Sequence, residues 1–504
     1  MIMMGIIFIL LFFVDTSVQY STIETEKLSN IFLIIIDVAI LYMISRIYIK
    51  YREKIDDFIE ANYHKILLIG TIVVFVIQIF VVYHIYFYTG WDCRRITDTA
   101  EYISKGHIPQ NMIARTNYYY STCPNNIMLT EIFSKLYFIL RLFGLKNGYQ
   151  GLIVVGIVIV DLVALILAKT TKMMTGSKKY AMIAWLIYAV WIAQLPWWVI
   201  PYTDTYAIIF PILELQLYLL FQRNEGIRKW IFGLMLGLIT CIAYFIKPTT
   251  VIVLIAVMIY EFVHMISERK YHSFLIVLLC SIIGFAGASG INHAEKRNLS
   301  QYIKMDDEKA LTMTHYMMMG MNTEHTGTYL RSDRIFSASL PNKEIRKQTN
   351  IKVIKKRLKD FGPEGYGKFL GKKTLVNYNS GMMAWGREGN FIRKESKIPK
   401  TRITNILRSF YYTDGEHYCV LTSYAQAMWL LVLSLGFVGA ILTKKNKKIG
   451  NYEILLLTIM GITAFTLLFE ARARYLYIMT PIYIILACYG IKNIGERKVI
   501  KDKE

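Results

Sequence analysis

Four short polar segments interrupt a largely apolar chain, and each holds residue types that do chemistry. Gly90-Trp91-Asp92-Cys93-Arg94-Arg95 sets a carboxylate beside an indole. An aspartate partly desolvated by such a neighbour becomes more basic, as a general base for a hydroxyl must be. Asp98 is the next carboxylate along and the second candidate base. The plainer reading makes Trp91 an anchor at a membrane interface and leaves Asp92 in water. Tyr118-Tyr119-Tyr120-Ser121-Thr122-Cys123-Pro124-Asn125-Asn126 offers rings that stack on a pyranose, Tyr120 among them. Its amides, Asn125 and Asn126, either bind sugar hydroxyls or cap the helix that follows. In Pro201-Tyr202-Thr203-Asp204-Thr205-Tyr206, Asp204 is a ligand contact or an N-cap. Phe469-Glu470-Ala471-Arg472-Ala473-Arg474-Tyr475 brings two guanidinium forks, which bind phosphate oxygens in pairs. An ion pair with Glu470 is the alternative there. Lys247, in Phe245-Ile246-Lys247-Pro248-Thr249, is a further cation at the same level, or a lysine that snorkels.

The elements that carry these segments are membrane helices. The 504 residues are 55% hydrophobic, and the apolar residues come in runs of roughly 15 to 23, the length that crosses a bilayer core. Ile66–Tyr88, Leu152–Ala168, Trp230–Ile246 and Leu455–Phe469 are examples. The net charge of +22 sits in short loops between runs: Lys50–Lys54, Lys169–Lys179, Arg223–Lys229, Arg269–Lys270, Lys444–Lys448 and the tail after Lys492. That distribution encodes orientation in a membrane and argues against nucleic acid as a partner. Met1–Val14 lacks a basic n-region and a cleavage site, so it reads as a retained helix rather than a signal peptide.

Placing every basic loop inside gives about twelve spans, near 1–19, 30–49, 66–88, 149–168, 180–198, 204–222, 229–246, 250–267, 273–291, 422–443, 452–470 and 474–492. All four polar segments then emerge on the outer face. Asn125–Leu145 carries Glu131, Lys135 and Arg141, which are costly inside a bilayer, so it is expected to lie in the interface. Three parts follow: an N-terminal transmembrane module, 1–291, with a catalytic first outer loop, 90–145; a mixed extracytoplasmic domain, 292–421; and C-terminal helices with a cytoplasmic tail, 422–504. The domain 292–421 holds about 24 basic and 13 acidic residues, an excess suited to an anionic polymer or to lipid headgroups. The six cysteines form no CxxC or Cys/His pattern, so no zinc site is expected, and Cys93 and Cys123 read as free thiols rather than a bridge.

At these motifs the sequence resembles the GT-C superfamily of polyprenyl-phosphate-sugar-dependent glycosyltransferases, which includes the protein O-mannosyltransferases. The likeness rests on Trp91-Asp92 opening the first outer loop, the tyrosine-rich stretch into Pro124-Asn125-Asn126, and a helix lying on the membrane. It looks closest to Gram-positive membrane proteins with a "GWD … YPNN" loop, a "THxxMMGxN" segment and an "EARxRYLY" segment. Here these are Gly90 to Asn126, Thr314-His315-Tyr316-Met317-Met318-Met319-Gly320-Met321-Asn322, and Glu470 to Tyr477. Two positions depart: Cys93 follows Asp92 where the superfamily often has a second acid, and Cys123 stands where the group usually has tyrosine.

The resemblance implies an all-α, polytopic, GT-C-like fold in a bacterial cell membrane, with its active site outside. It implies an inverting transfer from a polyprenyl-phosphate sugar to a cell-wall polymer or lipid acceptor, with Asp92 or Asp98 as base. Trp91, Tyr120, Asn125, Asn126, Asp204, Lys247, His315, Arg472 and Arg474 would bind substrate. No nucleotide sugar and no certain cofactor are implied, although a divalent cation is compatible. Two rivals stand beside this reading: an exporter of lipid-linked saccharide, and an inactive relative that scaffolds wall assembly.

Overall fold

The computed structural model describes residues 2–13, 27–145, 147–269, 271–443 and 451–501. Apart from one two-stranded ribbon, the regular structure among these residues is helical, as expected. Among the described residues, eight helices are long and apolar enough to cross a membrane: Asn30–Lys50, Arg52–Ile85, Gly148–Thr175, Thr203–Arg223, Gly226–Ile246, Pro248–Glu268, Tyr271–Ser300 and Tyr418–Thr443. Two shorter apolar helices, Ile2–Phe12 and Tyr452–Leu468, join them. The outer pair leaves large aliphatics such as Ile35, Val38, Ile69 and Val76 more than half exposed. Lipid tails are the solvent that such a surface requires. The chain is therefore a multi-pass membrane protein.

Of the twelve expected spans, eight are long helices among the described residues; those near 1–19 and 452–470 are the two shorter helices, and those near 180–198 and 474–492 are interrupted. Over 180–198 the helix Lys178–Val190 stops, and two 3-10 turns, Ile192–Gln194 and Pro196–Val199, follow. Pro196 cannot donate an i to i−4 hydrogen bond. Near the C-terminus a single turn, Arg474–Tyr477, precedes the helix Thr480–Lys501. Irregular backbone at membrane depth survives only where protein surrounds it, and Trp191, Trp197 and Trp198 are buried here. Of the basic clusters, Lys444–Lys448 and Lys270 lie outside the described residues, as do residues 14–19 of the first expected span.

Ile127–Leu142 is only 16 residues long and does not qualify as a long span, in keeping with the interfacial expectation. It turns Leu129, Phe133 and Tyr137 inward and leaves Leu142 and Phe143 exposed. The helices Gly226–Ile246 and Tyr271–Ser300 cross at glycines: a Cβ on Gly284 would stand 2.3 Å from the Gly237 carbonyl carbon. Small residues at such crossings let membrane helices pack backbone to backbone.

The expected boundary at 291 falls inside the helix Tyr271–Ser300. The polar block beyond it also does not stand apart. Its long helix Lys343–Tyr378 kinks at Gly362-Pro363 and then enters the bundle, where Tyr378, Met382 and Trp385 join the main hydrophobic core. Strand β1 (Phe87–Thr89) pairs antiparallel with β2 (Ile392–Glu395). This ribbon ties the residues before Trp91 to those after Glu388.

Candidate active site

The ribbon fixes the entry to the first polar segment. Thr89 Oγ1 donates to the Phe391 carbonyl at 3.0 Å, and a Cβ on Gly90 would meet the Phe391 ring at 2.4 Å. Trp91 then takes a left-handed conformation, φ 41°, which costs a bulky residue about 1–3 kcal/mol. The strained turn sets the Trp91 ring edge-on to Tyr202, with centroids 4.6 Å apart, and starts the helix Trp91–Ser104. Asp92 stands in its first turn, half-buried. Burial raises its pKa above the usual carboxylate value, while Arg474, Arg334, Arg472 and the Tyr119 hydroxyl favour the anion. Asn126 Nδ2 donates to the Tyr119 hydroxyl at 2.6 Å, so the second polar segment orients the group that faces Asp92.

Beneath Trp91 lies a buried ionic cluster. The Arg474 guanidinium sits 5.0 Å from the Trp91 ring centroid, 5.5 Å from Tyr202 and 6.0 Å from Trp197. Such stacking suits a planar, weakly hydrated cation. Its Nε is 3.5 Å from Asp204 Oδ2 and 3.3 Å from Glu388 Oε2. Lys247 Nζ donates to Asp204 Oδ1 and lies 4.9 Å from the Tyr475 ring centroid. Arg472 reaches Glu388 at 2.5 Å and Glu470 at 2.6 Å, and the Tyr475 hydroxyl donates to Glu470 at 3.1 Å. Burial would make both arginines less basic, but Asp204 and Glu388 around Arg474, and Glu388 and Glu470 around Arg472, keep both above the ordinary range. Two buried donors at this spot, Trp91 Nε1 and Arg472 Nε, have no hydrogen-bond partner among the described residues, and Arg474 Nε meets Asp204 and Glu388 only in ion-pair contacts. Buried donors left this way are uncommon and call for a physical explanation.

The arginine loop is held from the other side by a residue that the sequence reading missed. Lys373 is fully buried and donates to the carbonyls of Gly320, Leu467 and Phe469 at 2.8, 2.7 and 2.5 Å. Burial draws its pKa down to about 7, against the pull of Glu470. Two of those carbonyls end the helix Tyr452–Leu468, where no further turn supplies donors. Gly320 packs so tightly on this loop that a Cβ would come within 2.2 Å of the Phe469 oxygen. The Ala471 N–H donates to the Gly327 carbonyl at 2.8 Å. The Thr314–Asn322 segment thus serves as a platform under Arg472 and Arg474. Lys373→Met keeps the bulk and removes the donors. Its expected cost is roughly 1–3 kcal/mol, read as a lower melting temperature in detergent micelles; an unchanged melt would remove Lys373 from this role.

The candidates divide clearly. Trp91, Asp92, Asp204, Lys247, Arg472 and Arg474 come together around one spot, with Asn126 one step behind through Tyr119. Asp204 is no N-cap: Tyr202 takes that position, and Asp204 pairs with Lys247 instead. Lys247 does not snorkel, being 5% exposed. Asn126 occupies the N-cap of Ile127–Leu142 without a capping hydrogen bond, and Asn125 is exposed and donates to the Asn126 side chain. Tyr120 is turned away into a small core with Ile103, Ile127 and Leu299, its hydroxyl on Thr130 at 2.7 Å. The exposed ring of that run is Tyr118. Asp98 is engaged by Arg94 at 3.1 Å and Arg393 at 3.7 Å.

His315 is buried near Asp333, Arg334 and Arg346, and burial lowers its pKa to about 4. It is neutral at pH 7, and its Nδ1 has no partner among the described residues. Cys93 and Cys123 are free thiols. Among the described residues no three His, Cys, Asp or Glu side chains gather as metal ligands. Glu388, Arg334 and Lys373 carry no motif of their own; a lone acid in a glycine-rich turn and single cations in a basic block gave no signal.

Helical bundle and buried ionic cluster together define a polytopic membrane protein with a polar site at one end of its helices. The chain belongs to the family described as conserved hypothetical integral membrane proteins, whose model matches residues 1–494. Among solved structures it is similar to ArnT from Cupriavidus metallidurans bound to undecaprenyl phosphate, with 11% identity and a TM-score of 0.32 over 86% of this chain and 78% of that one. No curated protein matches it.

Proposed function

We propose that this protein is a glycosyltransferase that moves a sugar from a polyprenyl-phosphate carrier to an acceptor hydroxyl at the outer face of a bacterial membrane. One observation carries the reading: a half-buried carboxylate made more basic by burial adjoins a buried cluster of three cations, two of them arginines that meet at one carboxylate oxygen. Asp92 takes the proton from the acceptor hydroxyl. The acceptor oxygen bonds to the anomeric carbon from the face opposite the phosphate, while the bond from that carbon to the phosphate oxygen breaks. The electron pair leaves with the phosphate, and the anomeric configuration inverts. A phosphate monoester needs no protonation to depart; cations that hold its charge suffice. Arg474 and Arg472 take this role in the proposal, with Lys247 behind Asp204.

The acceptor would enter over Asp92 from the polar block. Arg334 of that block lies close enough to Asp92 to favour its ionised form, and the block's excess positive charge fits a wall polymer bearing phosphate or carboxylate. The experiment is binding: purified full-length protein in nanodiscs should take up polyprenyl phosphate saturably, and Arg474→Lys should weaken it. Absence of saturable binding would contradict the reading.

The exporter reading keeps one supporting observation. Asp161 and Glu214 are buried within the spans Gly148–Thr175 and Thr203–Arg223, Asp161 beside Gln78 and Glu214 beside Thr240. Buried acids of this kind line translocation pathways. Vesicles containing the protein that flip a labelled lipid-linked saccharide, with no sugar transferred, would favour it.

A further inference from the structure

The ionic cluster balances itself. Three cations, Lys247, Arg472 and Arg474, meet three carboxylates, Asp204, Glu388 and Glu470. A neutral cluster offers little to an incoming anion, because the attraction of its cations is already spent on its own carboxylates. A phosphate can settle there only if one carboxylate gives way.

The three carboxylates are not held alike. Asp204 is 1% exposed, sits in a helical turn and keeps Lys247 on one oxygen. Glu470 is 3% exposed, and Arg472 and Tyr475 hold its two oxygens. Glu388 has an 18% exposed side chain, the most open of the three, and one of its oxygens, Oε2, makes both arginine contacts. That oxygen, facing Arg472 Nη1 at 2.5 Å and Arg474 Nε at 3.3 Å, lies where an anion shared by two guanidinium groups would lie.

The backbone under Glu388 is also distinctive. It is a single π-helical turn, Trp385–Gly389, entered through two left-handed residues, Met383 at φ 53° and Ala384 at φ 61°. Each non-glycine residue in that region costs about 1–3 kcal/mol, and π-turns commonly mark functional positions. The turn is pinned behind by Trp385 Nε1 on the Tyr411 carbonyl, at 2.9 Å, and ahead by the β1–β2 ribbon. Gly389 packs on the Trp385 ring, where a Cβ would come within 2.2 Å, so the turn itself is fixed and a change of direction falls to the Glu388 side chain.

We propose that Glu388 is an internal stand-in for the phosphate of the lipid carrier: it neutralises Arg472 and Arg474 while the site is empty and yields to the phosphate on binding. The proposal rests on the reading that these arginines receive a polyprenyl phosphate. It adds a competition: the empty site stays charge-balanced, and the carrier must displace a carboxylate to enter. The displaced Glu388 remains within reach to re-form its pairs and drive the product phosphate out.

The test is equilibrium binding of undecaprenyl phosphate to the full-length protein in nanodiscs, for wild type and Glu388→Gln. Removing an anion that competes with the ligand should tighten binding, by about tenfold. Removing one that merely shapes the pocket should weaken it, so the sign of the change decides. Equal or weaker binding by a folded Glu388→Gln overturns the proposal. Should that variant fail to fold, Glu388→Asp, one methylene shorter and less able to reach both arginines, should show a smaller tightening; no tightening there has the same force. If wild type itself takes up no undecaprenyl phosphate, the functional reading fails first, and the two failures are thereby distinguished.

Discussion

Asp92→Asn is expected to lower the turnover number about 10²- to 10⁴-fold, the range for removal of a general base, while donor binding stays within a few-fold. The side chain keeps its size and its place in the first turn of Trp91–Ser104, beside Tyr119 and below Arg334. What it loses is the capacity to take a proton. Under the proposed mechanism the same residue sets the acid limb of the pH profile. Burial raises the Asp92 pKa, so activity should fall with decreasing pH at values above those of an ordinary aspartate. Lowering pH protonates the base, and the rate drops tenfold per pH unit below its pKa. In Asp92→Asn the residual rate should lose that limb. A variant that turns over like wild type, with the limb intact, would return the role of base to Asp98 or Asp204.

The second large effect belongs to Arg474. Arg474→Lys preserves the charge but removes the fork that stacks against Trp91, Tyr202 and Trp197. Loss of one preorganised donor to a developing anion costs about 10²- to 10³-fold in rate, and lysine cannot replace a bidentate contact. The expected result is a fall in kcat/KM of that order with polyprenyl-phosphate sugar, together with weaker binding of the bare carrier. Alanine is the poorer choice, because it leaves Asp204 and Glu388 facing a lost cation and adds about 3–5 kcal/mol of destabilisation. A change of less than twofold in Arg474→Lys would remove the arginine from the phosphate site.

Much of this arrangement was legible in the sequence because membrane proteins advertise what they cannot hide. Apolar length marks spans, and ionisable residues at span ends mark sites. Asp92, Asp204, Lys247 and the Arg472–Arg474 pair lie far apart in the chain, yet the basic loops lead one to expect them all on one side, and the structure gathers them. Hydropathy cannot see where a long apolar run breaks, so the turns at Ile192–Gln194 and Pro196–Val199 were read as part of one span. Nor does it distinguish the face of Tyr120 from that of Tyr118, since two residues along a helix differ by about half a turn. Lys373 and Glu388 were hidden because their roles depend on tertiary contacts: one lysine among many caps a distant helix end, and one glutamate joins two arginines more than 80 positions later. The polar block read as separate because it is hydrophilic on average, yet its last third supplies core residues such as Tyr378 and Trp385.

The central claim is transfer of a sugar from a lipid phosphate, with Asp92 as the base. Purified wild type and Asp92→Asn, each in lipid, would be supplied with radiolabelled polyprenyl-phosphate sugars and crude wall polymer. Label reaching the polymer with wild type, and falling at least a hundredfold with Asp92→Asn, is the predicted result. Label moving equally with both proteins, or with neither while the carrier still binds, would contradict it.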